Sequence, residues 1–319
     1  MRVLITGASG FVGRHLSRLA LSKKGTKVYG LVRSARSASS LVPGVRPVRA
    51  DLLSTRSMLA VLRRVRPHRI YHLAGQASVA LSWKLAKRTF EVNVGGTRSL
   101  FEAAGRLARR MTGLRIHVAG SADVYGASAR TGSKLTEETP LRPVNPYGAS
   151  KLAQELLALQ YHFGRGLFIV RTRAFNHFGP GQSDGFVVPA FARQVARIER
   201  GLKKPVLEVG NLKTARDFTD VRDVVRAYWL VMEKGRAGEV YNVASGRARR
   251  IADVLKFYLR ASSVKIKVRV DRARLRASDV RCLIGDARKL RRLTGWRPRI
   301  RFESTLADVL KDWEQRTHG

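Results

Sequence analysis

Apolar runs of strand length alternate with amphipathic stretches of helical length through the first two thirds of the chain. The predicted strands are Val3–Thr6, Lys27–Val32, Val45–Arg49, Arg69–Leu73, Arg115–Ala119 and Gly166–Arg171. The predicted helices between them include Gly13–Ser22, Leu85–Arg109 with a break near Gly95, and Tyr147–Phe163. This repeating strand–helix–strand pattern predicts an α/β protein built on a doubly wound parallel sheet.

A glycine-rich turn joins the first predicted strand to the first predicted helix. It reads Gly-Ala-Ser-Gly-Phe-Val-Gly, with glycines at Gly7, Gly10 and Gly13 and with Phe11 and Val12 at the start of the helix. Gly7 permits the tight turn, Gly10 lets backbone N–H groups approach a pyrophosphate, and Gly13 lets the helix pack closely on the strand. The positive end of the helix dipole attracts phosphate charge. The turn therefore predicts a Rossmann fold with a bound dinucleotide.

The residues that end the second strand indicate which dinucleotide binds. A site for NAD usually carries an acid here to hold both ribose hydroxyls. The segment Leu31–Arg36 has no acid, and Arg33 would pair with a 2′-phosphate, which favours NADP while NAD stays possible. Further cofactor contacts are expected after the third and fourth strands, from Asp51, Leu52, Leu73, Ala74 and Gly75.

The strand–helix alternation changes after Phe175. A Gly-Pro-Gly loop is followed by a predicted helix at Phe186–Arg200 and by short strands at Val206–Val209 and Val240–Val243. This change predicts a second, smaller α/β lobe that covers the substrate. We expect residues 1–172 and 214–245 to form the NADP-binding Rossmann domain, and residues 173–213 and 246–319 to form the substrate lobe.

A tyrosine and a lysine lie four residues apart on one face of a predicted helix. A free phenol has a pKa near 10, and the Lys151 ammonium would lower the pKa of Tyr147 by stabilising phenolate. Tyr147 could then exchange a proton with a substrate oxygen while hydride moves between carbon and nicotinamide. After the fifth strand, Ser121 would hydrogen-bond the same oxygen, and Asp123 could reach the far side of the substrate.

The composition of the chain limits which partners, metal sites and cellular compartments are expected. The chain of 319 residues has 62 Lys and Arg against 23 Asp and Glu, a formal net charge of +39. Because the basic residues are spread along the whole chain, a specific nucleic-acid partner is not expected, although nonspecific binding of polyanions is. A single cysteine, Cys282, excludes an internal disulfide framework, and the seven histidines show no metal-ligand spacing. With no signal peptide or membrane-length apolar run, we expect a soluble, cytoplasmic protein without a metal.

Several motifs together resemble the extended short-chain dehydrogenase/reductases, the NAD-dependent epimerase/dehydratase family, whose members modify nucleotide sugars. The motifs are similar above all to those of the reductases and 4,6-dehydratases that act on GDP-mannose derivatives. The likeness covers nearly the whole chain and is carried by the glycine loop, 74–79 with Ser82 and Trp83, 93–97, 146–151, 173–182, 209–212, 216–223 and 274–279.

The resemblance implies a Ser–Tyr–Lys triad at Ser121, Tyr147 and Lys151, with Asp123 beside it, and a cofactor contact from Asn93. It also implies contacts to the sugar nucleotide, from Ser78, Ser121, Asn176, Val187, Arg193, Arg216 and Arg276. Arginine suits the diphosphate of such a substrate because its fork matches phosphate oxygens. The resemblance further implies a homodimer paired through the helices Leu85–Arg109 and Tyr147–Phe163.

Two departures from the dehydratase pattern favour a reductase. After Asn176 and His177 a dehydratase would show a Ser-Pro-Arg-Arg-like run, whereas this chain has Phe-Gly-Pro-Gly-Gln. The position of the dehydratase's glutamate base holds Asp123, which is one methylene shorter. The prediction is therefore an NADPH-dependent reduction of the C4 ketone of GDP-4-keto-6-deoxymannose to GDP-rhamnose.

Two other interpretations stay open. The first is another enzyme on the same scaffold, a 4,6-dehydratase or a 4-epimerase, which would recycle its cofactor. The second is a catalytically silent protein whose basic surface binds nucleic acid. Ser121, Tyr147 and Lys151 argue against the second, because a silent protein has no physical reason to keep all three.

Overall fold

The structure, a computed structural model, describes residues 1–129, 133–274 and 282–317. Its strands are β1 (Arg2–Thr6), β2 (Lys27–Val32), β3 (Arg46–Arg49), β4 (Arg69–His72), β5 (Arg115–Ser121), β6 (Phe168–Ala174), β7 (Asn176–Phe178), β8 (Val206–Val209), β9 (Ala215–Asp220), β10 (Val240–Val243), β11 (Ala248–Arg250), β12 (Lys267–Val270) and β13 (Cys282–Leu283). Its α-helices are α1 (Phe11–Leu21), α2 (Ala35–Ser39), α3 (Thr55–Val65), α4 (Val79–Lys84), α5 (Ala86–Phe90), α6 (Gly96–Arg106), α7 (Pro146–Arg165), α8 (Val187–Glu199), α9 (Val221–Lys234), α10 (Ile251–Ala261), α11 (Arg288–Thr294) and α12 (Phe302–Arg316).

Seven strands form one parallel sheet in the order β10-β6-β5-β4-β1-β2-β3. The order reverses direction between β1 and β4, so the loops after these two strands diverge and open a crevice at the carboxyl edge of the sheet. The predicted doubly wound parallel sheet is confirmed. Ligands of such sheets bind in this crevice.

Helices cover both faces of the large sheet because its strands are apolar on both sides. On one face, α1 and α9 bury Leu16, Val224 and Tyr228. On the other face, α3, α6 and α7 bury a second apolar cluster that includes Met58 and Phe101. The two clusters fix the sheet between rigid layers and so hold its carboxyl edge in place.

A smaller lobe forms around a separate apolar cluster. Helices α8, α10 and α12 contribute Phe191, Tyr258 and Leu306 to it. Strand β9 pairs antiparallel with β11 and parallel with β7 and β13, and β8 pairs with β12. In the chain order, β9 therefore lies in a small sheet, whereas the next two elements, α9 and β10, lie with the large one. The predicted division into two domains stays a prediction.

The predicted elements agree with the structure to within a few residues, with two informative differences. Strand β6 starts two residues later than predicted because Gly166 adopts φ 65° and ends α7. The predicted helix Leu85–Arg109 consists of α5, a π-helical turn at Glu91–Gly95, and α6, so the break near Gly95 is a change of helix type. No helix within the described ranges is long and apolar enough to cross a membrane.

Candidate active site

The glycine turn after β1 leaves room for nothing larger than hydrogen at two positions. Gly7 adopts φ 72°, and a Cβ there would lie 2.9 Å from the backbone nitrogen of Ala74. A Cβ on Gly13 would lie 2.1 Å from the carbonyl oxygen of Gly7. These close approaches bring the turn, α1 and the loop after β4 together. Gly10 is the N-cap of α1 and offers no side chain to it, so the amides of Phe11 and Val12 start the helix without a capping group. A helix start of this kind accepts a phosphate.

The first helix also binds the loop that follows β7. The ring of Phe11 stacks on His177 with the ring centroids 6.3 Å apart. The Nε2 atom of His15 lies 2.8 Å from the carbonyl oxygen of Pro180, and Arg14 donates a 2.9 Å hydrogen bond to the carbonyl oxygen of Gly181. The loop of the smaller lobe is therefore anchored beside the glycine turn, and the two lobes meet over the crevice.

The end of β2 carries no acid, as the sequence indicates. Arg33 is exposed directly after this strand, and Ser34 caps α2 by accepting from the Ser37 amide at 3.3 Å. Asp51 is exposed after β3 and accepts a 3.0 Å hydrogen bond from the Leu53 amide. Leu52 packs under Gly96, because a Cβ there would lie 2.9 Å from the Leu52 side chain. The predicted ribose and adenine residues thus follow two adjacent strands, β2 and β3, at the carboxyl edge of the sheet.

Asn93 holds the loop that follows β4. Its Oδ1 accepts from the Gln76 amide at 2.8 Å, and its Nδ2 donates to the Gln76 carbonyl oxygen at 3.2 Å and to the Ser150 hydroxyl at 2.9 Å. Asn93 is fully buried, and its Oδ1 would lie 2.8 Å from a Cβ on Gly75. The sequence predicts that Asn93 contacts the cofactor; in the structure its side chain binds Gln76, directly after Leu73, Ala74 and Gly75, to Ser150 of α7.

Ser121 and Asp123 meet where β5 ends. The Ser121 hydroxyl donates to Asp123 Oδ2 at 3.1 Å and accepts from the Asp123 amide at 3.2 Å. The other carboxylate oxygen of Asp123 accepts from the side-chain amide of Asn145 at 3.4 Å. Ser121 is 6% exposed, so its hydroxyl is shielded but reachable.

Helix α7 presents Tyr147 and Lys151 to this point. Asn145 caps the helix by accepting from the Gly148 amide at 2.7 Å, and Pro146 occupies the first turn, where a missing N–H costs nothing. This start places the tyrosine in the first turn, 8% exposed, within hydrogen-bonding reach of Ser121. Lys151 lies one turn further and is 6% exposed.

The electrostatics of Tyr147 differ from the expectation. Burial, first, and the Asp123 carboxylate, second, raise the pKa of the phenol, while the hydrogen bond with Ser121 acts in the opposite direction. The prediction that Lys151 lowers this pKa is therefore wrong for the structure. The Lys151 ammonium instead donates to the Ala119 carbonyl oxygen at 2.8 Å and to Gln154 Oε1 at 2.9 Å, and burial and Asp123 determine the pKa of the phenol. Tyr147 therefore stays protonated at neutral pH, as an ordinary phenol does, and has a proton to donate.

Most of the predicted substrate residues lie in the smaller lobe or at its border. Ser78 caps α4 by accepting from the Leu81 amide at 3.2 Å, and Asn176 is exposed where β7 begins. Val187 is the half-buried first residue of α8, and on the same helix Arg193 forms an ion pair with Asp184. Arg216 lies half-buried in β9. Arg276 lies outside the described residues.

The buried polar side chains behind the triad were not predicted from the sequence. Glu155, 1% exposed, accepts bidentate hydrogen bonds of 2.9–3.1 Å from Arg173 and lies 3.6 Å from Arg171. Gln154 contacts Lys151 directly. The sequence signal for them is that Gln154 and Glu155 lie three and four residues after Lys151, on a helix face that packs on the sheet.

Residues 4–309 match the protein family described as GDP-mannose 4,6 dehydratase. The chain is 38% identical to the GDP-6-deoxy-D-mannose reductase of Pseudomonas aeruginosa, over 99% of this chain and 98% of that protein. It is 30% identical to GDP-mannose 4,6 dehydratase 2 of Arabidopsis thaliana, over 94% of this chain and 83% of that protein.

Two solved structures have the same fold over almost their whole length. One is the structure of RMD from Pseudomonas aeruginosa complexed with NADPH, with a TM-score of 0.85, 36% identity and 99% of both chains covered. The other is UDP-glucose 4-epimerase of Thermus thermophilus in complex with NAD, with a TM-score of 0.86, 30% identity, and 98% of this chain and 99% of that chain covered.

Proposed function

The chain belongs to the GDP-mannose 4,6 dehydratase family, and on that basis we propose that it is an NADPH-dependent reductase of GDP-4-keto-6-deoxy-D-mannose. The product is GDP-D-rhamnose, formed by reduction of the C4 ketone. The observation that carries the proposal is the full-length similarity to a GDP-6-deoxy-D-mannose reductase in a chain whose Ser121, Tyr147 and Lys151 converge at the carboxyl edge of the sheet. The chain is accordingly an oxidoreductase of the extended short-chain class.

The residues around the crevice fit a dinucleotide with a 2′-phosphate. The glycine turn and the uncapped start of α1 would hold the pyrophosphate. Exposed Arg33, with no acid beside it at the end of β2, would pair with the 2′-phosphate. Leu52 and Asp51 would border the adenine, and Lys151 would hold the nicotinamide ribose. The RMD structure with NADPH supports this choice, and the neighbours that bind NAD keep NAD as a weaker alternative.

The cofactor, when bound, supplies the hydride that reduces the C4 ketone. Tyr147 donates its phenolic proton to the oxygen of that ketone, and the raised pKa keeps the proton on the phenol until the oxygen becomes basic. Ser121 turns its hydroxyl from Asp123 to the same oxygen and orients it. The phenolate that remains is then reprotonated from solvent.

The substrate's diphosphate would be bound from the smaller lobe. Arg193 and Arg216 offer guanidinium groups on α8 and β9, and Arg276 would add a third. Asn176, Ser78 and Val187 would complete the sugar and nucleotide contacts. Binding in the crevice between the lobes would exclude water from the ketone.

A 4,6-dehydratase is the second candidate, because Asp123 lies beside the triad and could serve as the base that such an enzyme needs at C5. Both carboxylate oxygens of Asp123 already accept hydrogen bonds, from Ser121 and Asn145. In a reductase this carboxylate accepts a hydrogen bond from the Ser121 hydroxyl before the substrate binds and is not required to take a proton, which is the role that we assign to it.

The helices α4, α5 and α7 support a homodimer. They expose Leu81, Trp83, Leu85, Phe90, Leu156 and Phe163, with exposed fractions from 38% for Phe90 to 79% for Phe163. A set of large apolar side chains on adjacent helices is typical of a subunit interface. We propose an isologous dimer through this face, a cytoplasmic location, and no specific nucleic-acid partner.

The test compares two substrates in one absorbance assay for NADPH. A reductase consumes NADPH with GDP-4-keto-6-deoxymannose and not with GDP-mannose. The Asp123→Asn variant separates the candidates further: a reductase loses about tenfold or less, whereas a dehydratase that loses its base slows by about 10²–10⁴-fold. Conversion of GDP-mannose without NADPH consumption would overturn the proposal.

A further inference from the structure

The Lys151 ammonium is bound to the protein through two of its three N–H groups. Its Nζ donates to the Ala119 carbonyl oxygen and to Gln154 Oε1, at 2.8 and 2.9 Å. A Cβ on Gly75 would lie 3.8 Å from Nζ, so the ammonium faces the loop that follows β4. Because an ammonium has three donors, one N–H remains for a ligand in the crevice.

The Gln154 amide is held in one orientation from behind. Gln154 is 1% exposed, and its Nε2 donates to the Thr97 hydroxyl at 2.6 Å. The Thr97 hydroxyl donates its single proton to the Asn93 carbonyl oxygen, at 2.6 Å. It therefore accepts from Gln154 and also from His72, whose Nε2 lies at 2.8 Å. Only the orientation with the amide oxygen toward Lys151 gives every donor an acceptor.

The histidine at the end of this chain of hydrogen bonds is fixed as the neutral Nε2–H tautomer. Its Nδ1 lies 2.8 Å from the Thr6 hydroxyl, and the oxygen of that hydroxyl accepts a 3.1 Å hydrogen bond from the Ala74 amide. Because Thr97 has already donated its only proton, His72 must donate from Nε2 to Thr97, and Thr6 then donates to Nδ1. Complete burial lowers the pKa of His72 to about 3, so the tautomer does not change near neutral pH.

We propose that Gln154 is a positioning residue for Lys151: its amide oxygen, oriented by Thr97 and His72, occupies one N–H of the ammonium and directs the remaining one at the nicotinamide ribose. The inference rests on the proposed function, since it takes a nicotinamide cofactor as the ligand of Lys151. The same oxygen stabilises the charged lysine and so raises the pH up to which the cofactor is held.

The titratable groups that interact electrostatically with Lys151 determine the direction of this effect. They are Glu155 on α7, His72 on β4 and His117 on β5. Burial lowers the pKa of Lys151 to about 8, and Glu155 acts in the opposite direction. Both histidines are neutral, because burial lowers their pKa values to about 3. A substitution at position 154 therefore changes the pKa of Lys151 while the two histidines stay neutral near neutral pH.

The experiment measures NADPH binding by fluorescence between about pH 6 and pH 10, which spans the pKa values of buried and ordinary lysines. Gln154→Met removes the acceptor, so the midpoint at which binding weakens should move about one unit to lower pH. Gln154→Glu places a carboxylate beside Nζ and should move the midpoint to higher pH by a similar amount. The matched controls, Gln315→Met and Gln315→Glu on the exposed side of α12, should leave it unchanged.

A second pair of variants tests the orientation without altering Gln154. Thr97→Val removes the hydroxyl that holds the amide, so the midpoint should move in the same direction as in Gln154→Met. Thr97→Ser keeps the hydroxyl and should restore the wild-type midpoint. Thermal unfolding of each variant identifies any that do not fold, and the Thr97 pair decides the outcome where a Gln154 variant fails.

The possible failures are distinguishable. If the wild-type protein binds NADPH and the midpoints of folded Gln154 and Thr97→Val variants coincide with it, the positioning role is wrong and the proposed function stands. Equal shifts in the Gln315 controls would also overturn the positioning role. If the wild-type protein binds neither NADPH nor NADH at any pH, the proposed function fails and this inference fails with it.

Discussion

The proton on Tyr147 is held by burial and by the nearby Asp123 carboxylate, both of which raise the pKa of the phenol. Tyr147→Phe removes this proton and little else, because the ring keeps its place in the first turn of α7. We expect turnover to fall by about 10²–10⁴-fold or more, the usual contribution of a general acid, with NADPH affinity nearly unchanged. Steady-state rates and calorimetric titration with NADPH measure the two effects. A variant with near-normal turnover would show that another group supplies the proton.

Arg33 is the residue expected to make the protein prefer NADPH over NADH. Arg33→Asp replaces the partner of a 2′-phosphate with a repelling charge, so the ratio of NADPH to NADH affinity should fall at least about tenfold. The control Arg260→Asp makes the same charge change on exposed α10 and should leave the ratio unaltered. A wild-type preference for NADH, or equal ratios in both variants, would contradict the assignment.

Local pattern and spacing predicted the strand ends and the helix face on which the candidate site residues lie, because strand ends and a four-residue helical spacing are readable from sequence. The hydrogen-bond partners were not predictable in this way. Gln154 meets Thr97 across 57 positions of sequence, and Arg173 meets Glu155 through the packing of β6 on α7. For the same reason the pKa of Tyr147 was predicted in the wrong direction: the partners of Lys151 became known only with the fold.

A buried ion pair between Arg173 and Glu155 joins β6 to α7. Arg173→Met removes the bidentate partner of the buried Glu155 carboxylate and leaves Arg171, at 3.6 Å, and the Lys151 ammonium to offset its charge, so the free energy of unfolding should fall by about 3–5 kcal/mol. The double variant with Glu155→Gln removes the buried charge as well and should recover part of this loss. Denaturant unfolding of the four proteins gives the coupling between the two residues.

A matched surface pair provides the control for this prediction. Arg106 and Glu102 lie four residues apart on α6 at 3.2 Å, with the arginine side chain 59% exposed. Arg106→Met should cost less than about 1 kcal/mol, as exposed pairs do. Equal costs for Arg106→Met and Arg173→Met would show that burial of the Glu155 pair does not matter.

Element bounds were predicted best where an amphipathic or apolar run was long, and worst where the backbone depends on distant contacts. The π-helical turn at Glu91–Gly95 carries Asn93, whose side chain is bound to the β4 loop and to α7. The pairing of β9 with strands from three other parts of the chain likewise has no local signal.

The exposed apolar face of α4, α5 and α7 predicts that the protein forms a homodimer. Light scattering should give a dimer at micromolar concentration, and the double variant Leu156→Glu/Phe163→Glu should give a folded monomer because it places charges in the buried face. Leu202→Glu changes an equally exposed leucine elsewhere, 55% exposed, and should stay dimeric. A monomeric wild-type protein would contradict the prediction.

As an NADPH-dependent reductase, the chain transfers hydride from NADPH to C4 of a GDP-4-keto sugar and releases the reduced product. This transfer is tested by mass spectrometry and NMR of the GDP-sugar formed with NADPH that carries deuterium at the transferred position. We expect one deuterium, bound at C4, in each product molecule, and one NADPH oxidised for each. Product without deuterium at C4, or conversion of GDP-mannose with the cofactor recycled, would contradict it.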